Sequence, residues 1–128
     1  MKLMVAYDGS EMAQRALTVA QKRAKALEAE LHVFCSGDGN VENNKIVRLK
    51  SGLKDVEMLC QACKIACHIE MTGGSASPAE EIIKYADQHA IDEIVIGLRK
   101  RSQLGKMLFG STSRQVILEA RCPVLTVK

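Results

Sequence analysis

The chain has 128 residues, 47% of them hydrophobic and 26% charged, which suits one globular α/β-sized domain with a real core and excludes a disordered or fibrous chain. A net charge of +3 is too small to mark a nucleic-acid binder, and no run approaches the roughly 20 apolar residues of a spanning helix. Aromatic residues are only 3% and Trp is absent, so the core is expected to consist mostly of Ala, Val, Ile, Leu and Met.

In chain order, Lys2–Tyr7 is a short apolar run that stops at Asp8-Gly9-Ser10, a turn signal that also offers a helix N-cap. The run is too short, and meets Asp8 too soon, to read as a signal peptide. Ala13, Ala16, Leu17, Ala20, Ala24 and Leu27 recur at helical spacing, predicting a helix over 11–28. Leu31–Cys35 is a second apolar run, closed by a Ser-Gly-Asp-Gly-Asn stretch. Ile46, Leu49, Leu53, Val56, Cys60 and Cys63 predict a second helix over about 42–63. Ile65–Met71 alternates like a strand near a sheet edge. Ser77 and Pro78 open a third helix, with Glu80 and Glu81 at the positive end of its dipole and Ala79, Ile82, Ile83, Ala86 and Ala90 on its inner face. Glu93–Ile96 is a strand ending at Gly97, a final helix covers about 111–121, and Pro123–Val127 is the last strand.

Strands separated by helices predict a doubly wound, five-stranded parallel sheet with helices on both faces, built as one domain over 1–128. Ligands of such sheets bind at the carboxyl ends of strands where the strand order reverses, which directs attention to Asp8, Cys35 and Gly97.

The stretch from Gly97 to Ser111 carries the chemistry. Between Ile94 and Leu118 lie five bases (Arg99, Lys100, Arg101, Lys106 and Arg114) and no acid, so the rest of the chain sums to −2 and the positive charge is local. Gly110, Ser111 and Thr112 open the last helix, whose free N–H groups and dipole suit a phosphate. A plain basic loop with a Ser cap explains the same spacing. Neither a G-x-x-x-x-G-K-[ST] nor a G-x-G-x-x-G string is present.

These residues resemble the universal stress proteins over essentially the whole chain. Val5-Ala6-Tyr7-Asp8-Gly9-Ser10-Glu11-Met12-Ala13 is similar to the family's first strand and turn, and Leu31-His32-Val33 to its second strand. Ile94–Gly97 and Cys122–Val127 are similar to its fourth and fifth. The family's nucleotide signature, G-x2-G-x9-G-[ST], falls on Gly97, Lys100, Gly110 and Ser111, with Lys100 standing where the signature has its second glycine. Lysine meets a steric penalty at positive φ that glycine does not, although the following Arg-Ser-x-x-Gly-Lys at 101–106 brings its own glycine, hydroxyl and ammonium.

The resemblance implies an adenine nucleotide alpha hydrolase-like fold and ATP, with Mg²⁺, as ligand. It places Asp8 against the adenosine, Ala6 and Val33 around the adenine, Ile96 and Gly97 beside ribose and phosphates, Arg99 and Lys100 in the basic loop, and Gly110, Ser111 and Thr112 on the phosphates. It also implies a homodimer formed through the C-terminal strand. An Asx turn before Gly9 is the competing reading of Asp8.

Cys60, Cys63, Cys67 and His68 invite a metal or redox reading. Cys60 and Cys63 lie on an apolar helical stripe, however, where Cys acts as a small buried hydrophobe. Five cysteines without a secretory context fit a reducing compartment, and a cytoplasmic location is expected. His32, His68 and His89 share no local pattern with a nucleophile, so no catalytic residue and no metal ligand is nominated. The expected function is an ATP-binding regulatory or stress-response module with little or no turnover, without nucleic-acid or membrane partners. The alternatives are a nucleotide-free dimeric interaction protein and a cysteine-based redox or metal sensor.

Overall fold

The computed structural model describes residues 1–36, 43–73, 76–98 and 110–128, apart from the side chains of 43–46. Its elements are β1 (Lys2–Ala6), α1 (Glu11–Leu27), β2 (Glu30–Ser36), α2 (Asn43–Ala62), β3 (Cys67–Thr72), α3 (Pro78–Gln88), β4 (Glu93–Gly97), α4 (Ser111–Glu119) and β5 (Val124–Val127). The five strands form one parallel sheet in the order β3-β2-β1-β4-β5, so β3 and β5 are its edges. Every predicted element is present, with boundaries shifted by a residue or two.

The strand pleat divides the core into two layers. Leu3, Val5, Leu31, Val33 and Val95 face α1 and α2, meeting Ala16, Ala20, Leu53 and Cys60. Met4, Phe34, Ile94 and Ile96 face α3 and α4, meeting Ala79, Ile82, Tyr85 and Val116. The alanine stripe of α1 lets that helix lie close to the sheet centre. A bidentate pair from Arg23 to Glu93, at 2.7 and 2.8 Å, ties it to the start of β4.

Local chemistry explains the helix starts. Ser10 and Ser77 accept from Ala13 N–H and Glu80 N–H, as N-caps do, and Pro78 sits at the first helical position. The ends of α1, α2 and α3 share a left-handed residue that is not glycine: Glu28, Lys64 and Ala90, with φ of 52°, 58° and 52°. After each, a buried residue donates back into the last turn: Ala29 to Ala24, Ile65 to Cys60 and Ile91 to Ala86, at 2.8, 2.8 and 2.9 Å. This is the Schellman closure, in which burial of the following residue offsets the left-handed strain.

The same closure corrects the expected inner face of α3. The helix stops at Gln88, Ala90 is exposed in the left-handed turn, and Ile83 is only half-buried. Tyr85 takes the inward position instead, packing on Phe34 with ring centroids 4.8 Å apart. The core on this side is therefore more aromatic than the composition suggests.

Candidate functional site

The sheet reverses its strand order between β1 and β4: β2 and β3 extend from β1 in one direction, β5 from β4 in the other. The crevice at the carboxyl ends of these two strands is bounded by the turn 7–10, by Gly97 and, because a parallel crossover helix begins at the carboxyl edge, by the start of α4.

The turn after β1 is rigidly built. Tyr7 N–H continues the ladder to Phe34 O at 2.9 Å, and the Asp8 carboxylate accepts from Ser10 N–H at 2.9 Å. Asp8 therefore forms the Asx turn, while its exposed position leaves it on the crevice rim. Gly9 lies at φ +82°, a conformation that favours glycine. Beneath the rim, burial pushes the Cys35 thiol up to about 12, with the Asp8 charge adding to the effect. Burial also raises the Tyr7 hydroxyl, together with Cys35 and Asp8.

Gly97 ends β4, and a Cβ there would lie 2.5 Å from the Met12 carbonyl oxygen and 2.8 Å from its carbon. The space left by the missing side chain is filled by the first turn of α1. A packing requirement thus accounts for the glycine by itself.

Gly110 behaves differently. It is the N-cap of α4 at φ −63° and ψ 157°, with no side-chain cap, and a Cβ would meet only Ser113 Oγ at 3.7 Å. Neither conformation nor crowding within the described residues demands glycine. The first N–H groups of α4 lack the Ser cap that serves α1 and α3, and Ser111 is exposed and Thr112 half-buried beside them. Ser113, unremarked in the sequence, is buried and donates its hydroxyl to Gly110 O at 3.0 Å, where Arg114 N–H also donates. Two donors on one carbonyl hold the helix start in place. The serine three residues after a glycine was the available signal.

The other nominated residues are distributed unevenly. Ala6 ends β1 and is half-buried against the α3–α4 layer. Ile96 is buried in that layer. Val33 is fully buried three residues before β2 ends, paired with Val5 on one side and Ile69 on the other, so it lies below the rim. The structure thus brings Ala6, Asp8, Gly97 and Gly110–Thr112 to one end of the sheet, with the Val33 backbone one register step below Ala6 on the neighbouring strand. Arg99 and Lys100 lie outside the described residues, as do Arg101 and Lys106.

Of the residues whose spacing invites a metal grouping, Cys60 and Cys67 lie side by side, whereas His68 is turned to Glu30. Cys60 is fully buried on the inner face of α2 and Cys67 packs against the same layer, where burial and the neighbouring Cys60 push its thiol up to about 12. His68, the next residue, points to the opposite face. Among the described residues no helix is long and apolar enough to cross a membrane.

This chain is similar to known members of one protein family. The Universal stress protein family model matches residues 1–128. The universal stress protein YxiE of Bacillus subtilis is 31% identical, over 99% of this chain and 98% of its own. The structure of a universal stress protein from Archaeoglobus fulgidus superimposes with a TM-score of 0.85 at 32% identity, covering 100% and 98% of the two chains. A further structure, the universal stress protein from Archaeoglobus fulgidus in complex with dAMP, gives a TM-score of 0.79 at 28% identity, again covering 100% and 98%. Among the described residues, five parallel strands in the order 3-2-1-4-5 and four helices, with a family match along the entire sequence, lead to one conclusion: the chain belongs to the universal stress protein family.

Proposed function

We propose that this chain binds ATP with Mg²⁺ in the crevice at the carboxyl ends of β1 and β4 and acts as a regulatory or stress-protective module with little or no turnover. The observation that carries the reading is the start of α4: an N-terminus without a side-chain cap, opened by a glycine that the described structure does not require. Such a terminus presents free N–H groups and a positive dipole end, the chemistry a phosphate needs. The dAMP complex of a relative supports an adenine nucleotide as ligand.

The residues fit this ligand in distinct ways. Gly110, Ser111 and Thr112 hold phosphate oxygens, Gly97 and Ile96 border the ribose, and Ala6 and Asp8 flank the adenosine. Arg99 and Lys100 supply charge from the loop. Val33 contributes at most a backbone contact from beneath. Magnesium would be held chiefly by the phosphates themselves and would offset their charge. Asp8 is already engaged as the Asx-turn acceptor, which supports binding rather than base catalysis.

Two further parts of the reading concern context. The protein works in the cytoplasm, where its five cysteines stay reduced. It pairs as a homodimer through β5, whose outer edge has no strand neighbour among the described residues. The test is to denature the purified protein and identify what it releases. Adenine nucleotide near one per chain supports the proposal. A clean protein that also takes up no ATP refutes it and favours a nucleotide-free interaction protein.

A further inference from the structure

At the opposite end of the sheet, a second constellation stands apart from the nucleotide crevice. Glu30 and His32 lie two residues apart on β2 and so point to the same face. The register sets His68 of β3 directly opposite His32, on that face too. His32 Nε2 and His68 Nε2 both approach a single oxygen, Glu30 Oε1, at 2.8 and 2.9 Å, and the three donor atoms lie within 4.8 Å of one another. We propose that Glu30, His32 and His68 form a binding site for zinc or a similar first-row divalent cation, clamping the β3 edge strand to β2.

The donor set is two imidazoles and a carboxylate, one that suits Zn²⁺ with a fourth position left for water. Donors about 2.0–2.1 Å from a tetrahedral ion stand about 3.3 Å apart. Each nitrogen–oxygen pair therefore opens by about half an ångström on binding, which falls to the two mobile ligands: the Glu30 and His68 side chains are 33% and 58% exposed. His32 is fixed. It is only 4% exposed, and its other nitrogen, Nδ1, is 2.8 Å from Tyr85 Oη. An outer partner on Nδ1 orients the ring and commits Nε2 to the metal, as around many zinc-bound histidines. Tyr85 is itself held between Phe34 and the stacked ring of His89, 3.8 Å away. One ligand is thus preorganised and two are reachable from solvent.

Without a cation, Glu30 Oε1 accepts from both Nε2–H groups, so protons occupy the positions the metal takes. Among the described residues, the other charges that bear on the cluster are Lys2 from β1, Glu70 from β3 and His89 just past the end of α3. The thiols of Cys60 and Cys67 belong to the other face of the sheet.

The experiment strips the full chain with chelator, adds Zn²⁺ alone without nucleotide, removes the excess and measures bound zinc. One zinc per chain is expected in the wild type and under a tenth of that in His68→Ala, whose exposed side chain leaves the fold intact. Tyr85→Phe, acting through His32, is expected to weaken binding about tenfold. Cobalt in the same site gives visible d–d bands without an intense sulfur charge-transfer band. No zinc uptake by the wild type, or uptake that persists in His68→Ala, overturns the proposal. So does cobalt binding with a strong thiolate band, which assigns the metal to the cysteines. Because nucleotide is absent throughout, failure here leaves the ATP reading untouched.

Discussion

Two glycines of one signature turn out to answer to different physics. Gly97 is required by the backbone of Met12, which a Cβ would overlap at 2.5 Å, so Gly97→Ala is expected to destabilise the fold by about 1–3 kcal/mol in urea titration. Gly110→Ala meets only ordinary contact and is expected to fall within about 0.5 kcal/mol of the wild type. The sequence showed both as glycines of equal standing. What separates them is a tertiary contact between the end of β4 and the first turn of α1, and no local spacing carries that information. Asp8 is similar: the Asx reading and the ligand reading were both legible, and the bond to Ser10 N–H establishes the first while leaving the residue on the rim.

Buried thiols give the residue scale its pH dependence. Cys35 and Cys67 ordinarily titrate at 9.0 and are pushed up to about 12 when folded, so the native state holds those protons more tightly than the unfolded chain. Their contribution to stability is complete below 9.0 and is lost as pH rises toward 12. The raised hydroxyls of Tyr7 and Tyr85 act in the same direction. The urea midpoint should fall as pH rises above about 9, and it should fall less steeply in Cys35→Ala. A midpoint flat across that range would contradict the burial.

At the scale of elements, periodicity was an almost complete guide. The alanine stripe of α1, the Ser77-Pro78 start of α3 and the apolar strands each announced themselves, because helix and strand periods are imposed by the core they bury. The misjudged stretch was the end of α3. Ala90 fits the helical spacing but adopts φ 52°, because Ile91 must turn back to bury its side chain and bond Ala86 O. A left-handed alanine is strained by about 1 kcal/mol, so Ala90→Gly is expected to raise stability by about that amount, as read from the urea midpoint. The Glu30–His32–His68 grouping was equally hidden. His32 and His68 stand 36 positions apart in the chain, on β2 and β3, and only the register joins them.

The edge strand β5 supplies a prediction of the same kind. Val127 O accepts from Leu98 N–H in the β4 ladder, and alternation turns the Thr126 N–H outward, away from β4. Thr126→Pro removes that outward donor while sparing the inward ones. It is expected to convert a β5-paired dimer to monomers in light scattering, with the circular dichroism of the fold retained. A dimer that persists would move the interface elsewhere.

For the whole molecule, the doubly wound topology gathers the rim turn, Gly97 and the α4 start at one end of the sheet, and the histidine–glutamate group at the other. Nucleotide bound only by the folded chain raises its stability by mass action, so the unfolding temperature should climb with ATP concentration. The family was legible from the strand and turn strings together with the Gly97–Ser111 signature, whereas the strand order emerges only in the folded sheet. The adenine-nucleotide expectation came from the family resemblance and the Gly97–Ser111 stretch, of which the structure describes Gly97 and the α4 start, while the basic residues at positions 99–106 lie outside the described residues. The most direct measurement is a calorimetric titration of ATP and Mg²⁺ into the wild type and into Gly110→Val, whose folding is checked in parallel. One ATP per chain in the wild type, with affinity at least about tenfold weaker in a folded Gly110→Val, is the predicted result. No binding to the wild type, or equal binding to both proteins, would contradict it.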